Sequence, residues 1–147
     1  MHAVSLEPRS AVLRGNLGDC YQRLGHADDA RAQYAEAVRL EEADLQVSPD
    51  DPALLSQHIM HLAKAGDCAG SWDVYRRSRS RLPDRDAEIL HALAKAFALC
   101  GRRSESIAAL RRMTALGASP ALFRAEDEFV SLRSDSTFLA LTADGTR

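Results

Sequence analysis

The chain has 147 residues, 46% hydrophobic and only 5% aromatic, with a net charge of −2. That length suits one domain with a real core, and abundant Ala, Leu and Arg with few β-branched residues favour helix over sheet. No apolar run approaches the roughly 20 residues that span a bilayer, and no apolar block follows a basic start as in a signal peptide.

In chain order, Ala3 to Pro8 (AVSLEP) mirrors Ala37 to Glu42 (AVRLEE), so residues 1–10 are expected to be the end of a preceding, truncated repeat. Residues 11–51 carry two helical runs separated at Gly25, and EEADLQV (Glu41 to Val47) continues the helical pattern by two further turns. Asp51-Pro52 is an N-cap followed by proline in the first turn, opening the segment 52–86 with a break at Gly66. Residues 87–119 break in the same way at Gly101, and Ser119-Pro120 repeats the capping device. Short helices are predicted around 120–125, 127–132 and 135–141, forming a C-terminal cap over 120–142 before a loose tail at 143–147.

Aligned on Gly25, Gly66 and Gly101, the three segments agree column by column. Tyr21, Leu62 and Phe97 are bulky; Ala30, Ser71 and Ser106 are small; Tyr34, Tyr75 and Leu110 are bulky again. Glycine at these places predicts a left-handed residue ending the first helix of each pair. Small residues such as Gly18, Ala30 and Ala37 would let the two backbones approach, with Tyr21 and Tyr34 filling the space between. No single pair buries its apolar face alone, so the pairs are expected to stack.

These columns resemble the tetratricopeptide repeat, with Leu17-Gly18, Tyr21, Gly25, Ala30, Tyr34 and Ala37 as the best match. The later segments match at Gly66, Ser71, Tyr75, Ser78 and Pro83, and at Leu93-Ala94, Phe97, Gly101 and Ser106. The family's early Trp is replaced by Arg14, Leu55 and Leu90. The resemblance implies an all-α right-handed superhelix of antiparallel helix pairs, a solenoid closed by a short helical cap. RGNLGDCYQ, the elongated helix ending EEADLQVSPDDP, LAKAGD and DEFVSLRSDSTFLAL occur in one order. Together they look like the C-terminal repeat region of large bacterial signalling proteins, where such arrays follow a Ser/Thr kinase, winged-helix or nucleotide-cyclase domain.

The resemblance implies a non-catalytic protein–protein interaction module binding a peptide or helix in a concave groove. By register the groove is lined by Asn16, Asp19, Gln22 and Arg23, by Ser56, Gln57, Met60 and Lys64, and by Glu88, His91 and Lys95. Gly15 and Asp19 stand where chaperone-binding relatives carry the first Lys and Asn of a carboxylate clamp, so that specificity is not expected. The alternatives are a structural spacer or self-association unit, and a small metal-dependent hydrolase using His58, His61 and His91. No cofactor and no metal are expected, and neither nucleic-acid binding nor membrane insertion. A cytoplasmic setting is the default, periplasmic if the parent is membrane-anchored.

Other residues have bland readings. His58 falls in the column of Leu17 and Leu93, which implies packing, whereas His91 points to the groove. Trp72 is assigned to packing and the arginines of YRRSRSRLPDR to a solvated face. Cys20, Cys68 and Cys100 are odd in number and widely spaced, so they are expected to be small helix-packing residues without a disulfide framework. The charge is uneven: residues 1–51 hold five basic and ten acidic groups, residues 52–117 eleven and six, and the remainder three and five. Such asymmetry can steer a charged partner or assist self-association.

Overall fold

A computed structural model describes residues 10–143. The expected truncated repeat at 1–10 and the loose tail at 143–147 therefore lie almost wholly outside the described residues. Within them the chain is helical and carries no strand. Six helices come in three successive pairs: α1 (Ala11–Arg23) with α2 (Ala27–Val47), α3 (Pro52–Lys64) with α4 (Cys68–Ser78), and α5 (Ala87–Leu99) with α6 (Arg103–Ala115). Two 3-10 segments, Pro120–Ala125 and Asp127–Leu132, lead to a short last helix, α7 (Ser136–Leu141).

The turn within each pair follows from its glycine. Gly25, Gly66 and Gly101 have φ of 78°, 93° and 74°, a region that only glycine enters without strain. At each, the glycine N–H reaches back three residues, and the next N–H donates to the carbonyl of Tyr21, Leu62 or Phe97. This double closure satisfies carbonyls left over at the helix end. It also fixes the backbone of the bulky column, which explains why size and glycine recur in register. Gly117 (φ 100°) ends α6 with the same bonds, a stop the sequence reading did not mark.

Four of the helix starts are capped by carboxylates, and α1 by the Ser10 hydroxyl. Asp51 accepts from the Leu54 N–H at 3.1 Å, and Asp67, Asp86 and Asp135 cap α4, α5 and α7 in the same manner. The region after Ser119 differs from the expected helices. Ser119 makes no side-chain cap, and Glu126 is extended (φ −81°, ψ 130°), so each six-residue piece on either side remains a 3-10 turn. α7 is equally short yet α-helical, and it alone of the three carries a side-chain cap, from Asp135.

The small column has a specific purpose. Ser71 Oγ donates to the Ile59 carbonyl and Ser106 Oγ to the Ala94 carbonyl, both at 2.8 Å, tying the second helix of a pair to the first. In the first pair Ala30 occupies that place, fully buried. Gly18 meets the Tyr34 ring so closely that a Cβ would lie 2.5 Å from a ring carbon. Alanine would favour the helix by about 1 kcal/mol, but overpacking a pinned ring costs about 1–3 kcal/mol. Gly18→Ala is therefore expected to lower the thermal midpoint; a rise would show that Tyr34 yields.

Two joints between pairs differ in character. Between the second and third, α3 packs along α5, and Ile59, Ala63, Ile89, Leu93, Ala96 and Phe97 form an apolar cluster edged by Trp72 and Tyr75. A second cluster continues from α5 and α6 into the C-terminal segment, where Phe123, Phe129, Leu132 and Phe138 are buried. Neither cluster includes a residue of α1 or α2. There the elongated α2 meets α3, and the joint holds a buried polar group: Glu41 accepts from His61 Nδ1 at 2.6 Å and lies 3.3 Å from His58 Nδ1.

One expectation about the cysteines is overturned. Cys68 and Cys100 form a disulfide with Cα atoms 5.4 Å apart, while Cys20 is free and exposed. Cys68 opens α4 just after Gly66, and Cys100 caps α5 just before Gly101. Stacking places the two intra-pair turns side by side, which brings together thiols separated by 32 residues.

Candidate functional site

The first helices of all three pairs turn charged side chains into one cleft. From α1 come Asp19, Gln22 and Arg23; from α3, Ala63 and Lys64; from α5, Lys95 and Leu99. Tyr34 of α2 and the run Ala125 to Glu128 complete a cavity of about 420 Å³, within the range of a small-ligand or peptide side-chain site.

The electrostatics are organised around two lysines. Lys64, with a side chain only 7% exposed, lies 2.8 Å from Asp19 and 3.1 Å from Glu128. Lys95, 18% exposed, lies 3.1 Å from Glu126 and 3.7 Å from Glu128. His91 Nε2 is 2.8 Å from Glu126, and its ring stacks over Phe129. Tyr34 donates its hydroxyl to Asp19 at 2.7 Å, and Lys64 sits over the Tyr34 ring.

Carboxyl acidities follow from this pairing. Burial pushes Asp19 upward, but hydrogen bonds from Lys64 and Tyr34 outweigh it and leave the group below the usual range. Glu126 is likewise raised by burial and lowered further by His91 and Lys95; for Glu128 the opposing influence is chiefly the charge of Lys64 and Lys95. The Tyr34 phenol is pushed well up, by burial first and by its bond to Asp19 second. All three carboxylates are ionised at neutral pH, so the lysines are held by fixed negative charge.

Of the eleven residues expected in the groove, Asp19, Gln22, Arg23, Lys64 and Lys95 line the cavity. His91 stands beside it, bound to Glu126. Asn16, Gln57 and Glu88 are exposed and Met60 is half-buried, all outside the cavity lining. Ser56 requires correction: it is buried, its hydroxyl donating to the Ala53 carbonyl, and it presents nothing to a partner. The reading missed Tyr34 and the acidic run 126–128. A signal for the latter existed in three consecutive acids following a basic middle segment.

The histidines separate into two environments. His58 and His61 are buried on Glu41, and His91 is on Glu126. Among the described residues no group of three or more His, Cys, Asp or Glu side chains is arranged to hold a metal ion. Nor is any described helix long and apolar enough to cross a membrane. Trp72 packs against Tyr75 and Phe97, with Arg102 stacked 3.2 Å above its ring, while Arg76 and Arg77 pair with Asp73 at the surface. In comparison with known proteins, no family model matches the chain and no curated protein matches it.

Proposed function

We propose that the chain is a non-catalytic protein–protein interaction module of the tetratricopeptide-repeat type, binding an extended peptide or helix in the cleft between its helix pairs. The observation that carries this reading is the convergence of Asp19, Gln22, Arg23, Lys64 and Lys95 from the first helix of every pair onto one open cavity. Equivalent glycine turns and the paired Ser71 and Ser106 bonds support the repeat assignment. On the resemblance of its sequence, the module belongs to the C-terminal part of a larger bacterial signalling protein such as a Ser/Thr kinase or transcriptional regulator. The Cys68–Cys100 bond favours an oxidising compartment, and so a periplasmic over a cytoplasmic setting.

Position-specific photo-crosslinking in the source cells tests the reading. A photoreactive residue replacing Gln22, on the cleft, is expected to trap a discrete partner, and one replacing Arg77, on the outer face, is expected not to. Equal trapping from both positions, or none from the cleft, would reject it.

A further inference from the structure

We propose that the cleft is selective for acidic extended segments, and that Glu126 and Glu128 are resident stand-ins for the carboxylates such a segment would bring. This inference rests on the interaction-module reading and sharpens it to one partner chemistry.

The argument begins with desolvation. Lys64 and Lys95 are recessed, at 7% and 18% exposure, and a buried ammonium without an anion is strongly disfavoured. Glu126 and Glu128 supply that anion from the chain itself, with Asp19 as a further partner of Lys64. They are two positions apart, Glu126 extended and Glu128 in the first turn of the 3-10 segment that follows, with their backbone pinned on either side by buried Phe123 and Phe129. Displacement therefore needs only rotation of two carboxylate side chains; the phenylalanine anchors remain seated.

Space and charge then decide what can replace them. Lys64, Lys95, Glu126 and Glu128 all face the same cavity of about 420 Å³, so incoming and resident carboxylates compete for the same ammonium groups. A neutral or basic segment that moved Glu126 and Glu128 aside would leave Lys95 unpaired and Lys64 with Asp19 alone. An acidic one restores both pairs and gains Arg23, exposed at the edge of the cavity. Basic partners are disfavoured for a second reason: Glu126 and Glu128 are themselves largely buried and already engaged.

The test uses the full chain and a fluorescein-labelled peptide of sequence AEDEF, that of residues 125–129, with AQNQF as its neutral control. Glu126→Gln/Glu128→Gln is expected to bind AEDEF at least about tenfold more tightly than the unaltered protein. Adding Lys95→Gln should abolish the gain, and raising the salt from about 0.05 to 0.5 M should weaken the binding. The single variant Glu126→Gln leaves Glu128 on both lysines and should show a smaller gain, which keeps the test sound if the double change loosens the cap. Equal affinity in the unaltered and double-variant proteins, or equal binding of AQNQF, would overturn the proposal. Crosslinks from Gln22 with no gain for AEDEF would discard the acidic preference and leave the interaction reading standing. A gain for AEDEF without crosslinks from Gln22 would do the reverse.

Discussion

Removing the Cys68–Cys100 bond is expected to lower the thermal midpoint by roughly 10 °C, taking about 3 kcal/mol at about 3 °C for each in a chain of this size. The bond closes a loop of 32 residues between the turn of the second pair and the turn of the third. In the chain-entropy account, opening it restores freedom to the unfolded state and leaves the folded contacts in place. Cys68→Ala/Cys100→Ala should therefore keep the helical circular dichroism of the native protein while melting earlier. Mass-labelling of thiols provides the companion check: the native protein should take one label, at Cys20, and three after reduction under denaturing conditions. Three labels on protein taken directly from its own cells would remove the case for an oxidising compartment. An unchanged midpoint would mean that the apolar cluster around Phe97 already holds the joint.

The second large effect is expected at Glu41. Its carboxylate is 2% exposed and accepts from the Nδ1–H of both His58 and His61. Because the group is ionised it has no proton to give, so both rings must donate. Glu41→Ala leaves two buried donors unmatched and is expected to cost about 3 kcal/mol or more. Replacing all three together, as Glu41→Met/His58→Leu/His61→Met, removes the need for pairing and should fall within about 1 kcal/mol of the native protein. Acid dependence separates the two cases. Burial raises the Glu41 pKa, but the bonds and charges of His58 and His61 outweigh it and leave the group below its ordinary value of 4.5. A carboxyl depressed on folding contributes stability that is fully present above the unfolded pKa and is lost as pH falls through the folded one. Stability of the native protein should thus fall as the pH drops below about 4.5, and the triple variant should lose much less over the same interval. Identical acid profiles would place the acid sensitivity elsewhere, at Asp19, Glu126 or Glu128.

Legibility in the sequence followed the range of the interaction. Helix stops at Gly25, Gly66 and Gly101 and the Asp51 cap depend on residues within one turn, so their signals are local and were readable. The elongation of α2 to Val47 was readable from periodicity alone. Three features were not. The disulfide needs two turns from different pairs to lie side by side, which no spacing rule for cysteines encodes. Glu41 reads as one acid in the helical run Glu41-Glu42, and only the approach of α3 makes it the acceptor for two histidines. Placing His58 in an apolar column anticipated its burial but supplied no partner for its ring nitrogen. The third is the acidic run 126–128. As a cap it was expected to cover the end of the stack, and its phenylalanines do join that core. Its glutamates instead fold back onto the cleft, because Glu126 breaks the helix there and carries the chain across α5.

The position of the lone tryptophan gives the molecule an internal division of its optical signal. Trp72 is the only indole in the chain, and it sits against Tyr75 and Phe97 under the Arg102 guanidinium, on the same apolar cluster as the half-cystine Cys100. Its emission thus reports solvent and quencher contact at the apolar joint between the second and third pairs. The first pair, held to the rest by ionisable groups at Glu41, His58 and His61, lies outside the indole's surroundings yet supplies α1 and the longest helix to the backbone ellipticity. Far-ultraviolet dichroism and tryptophan emission consequently view two different parts of one polypeptide, and their coincidence or separation during unfolding measures how tightly those parts are coupled.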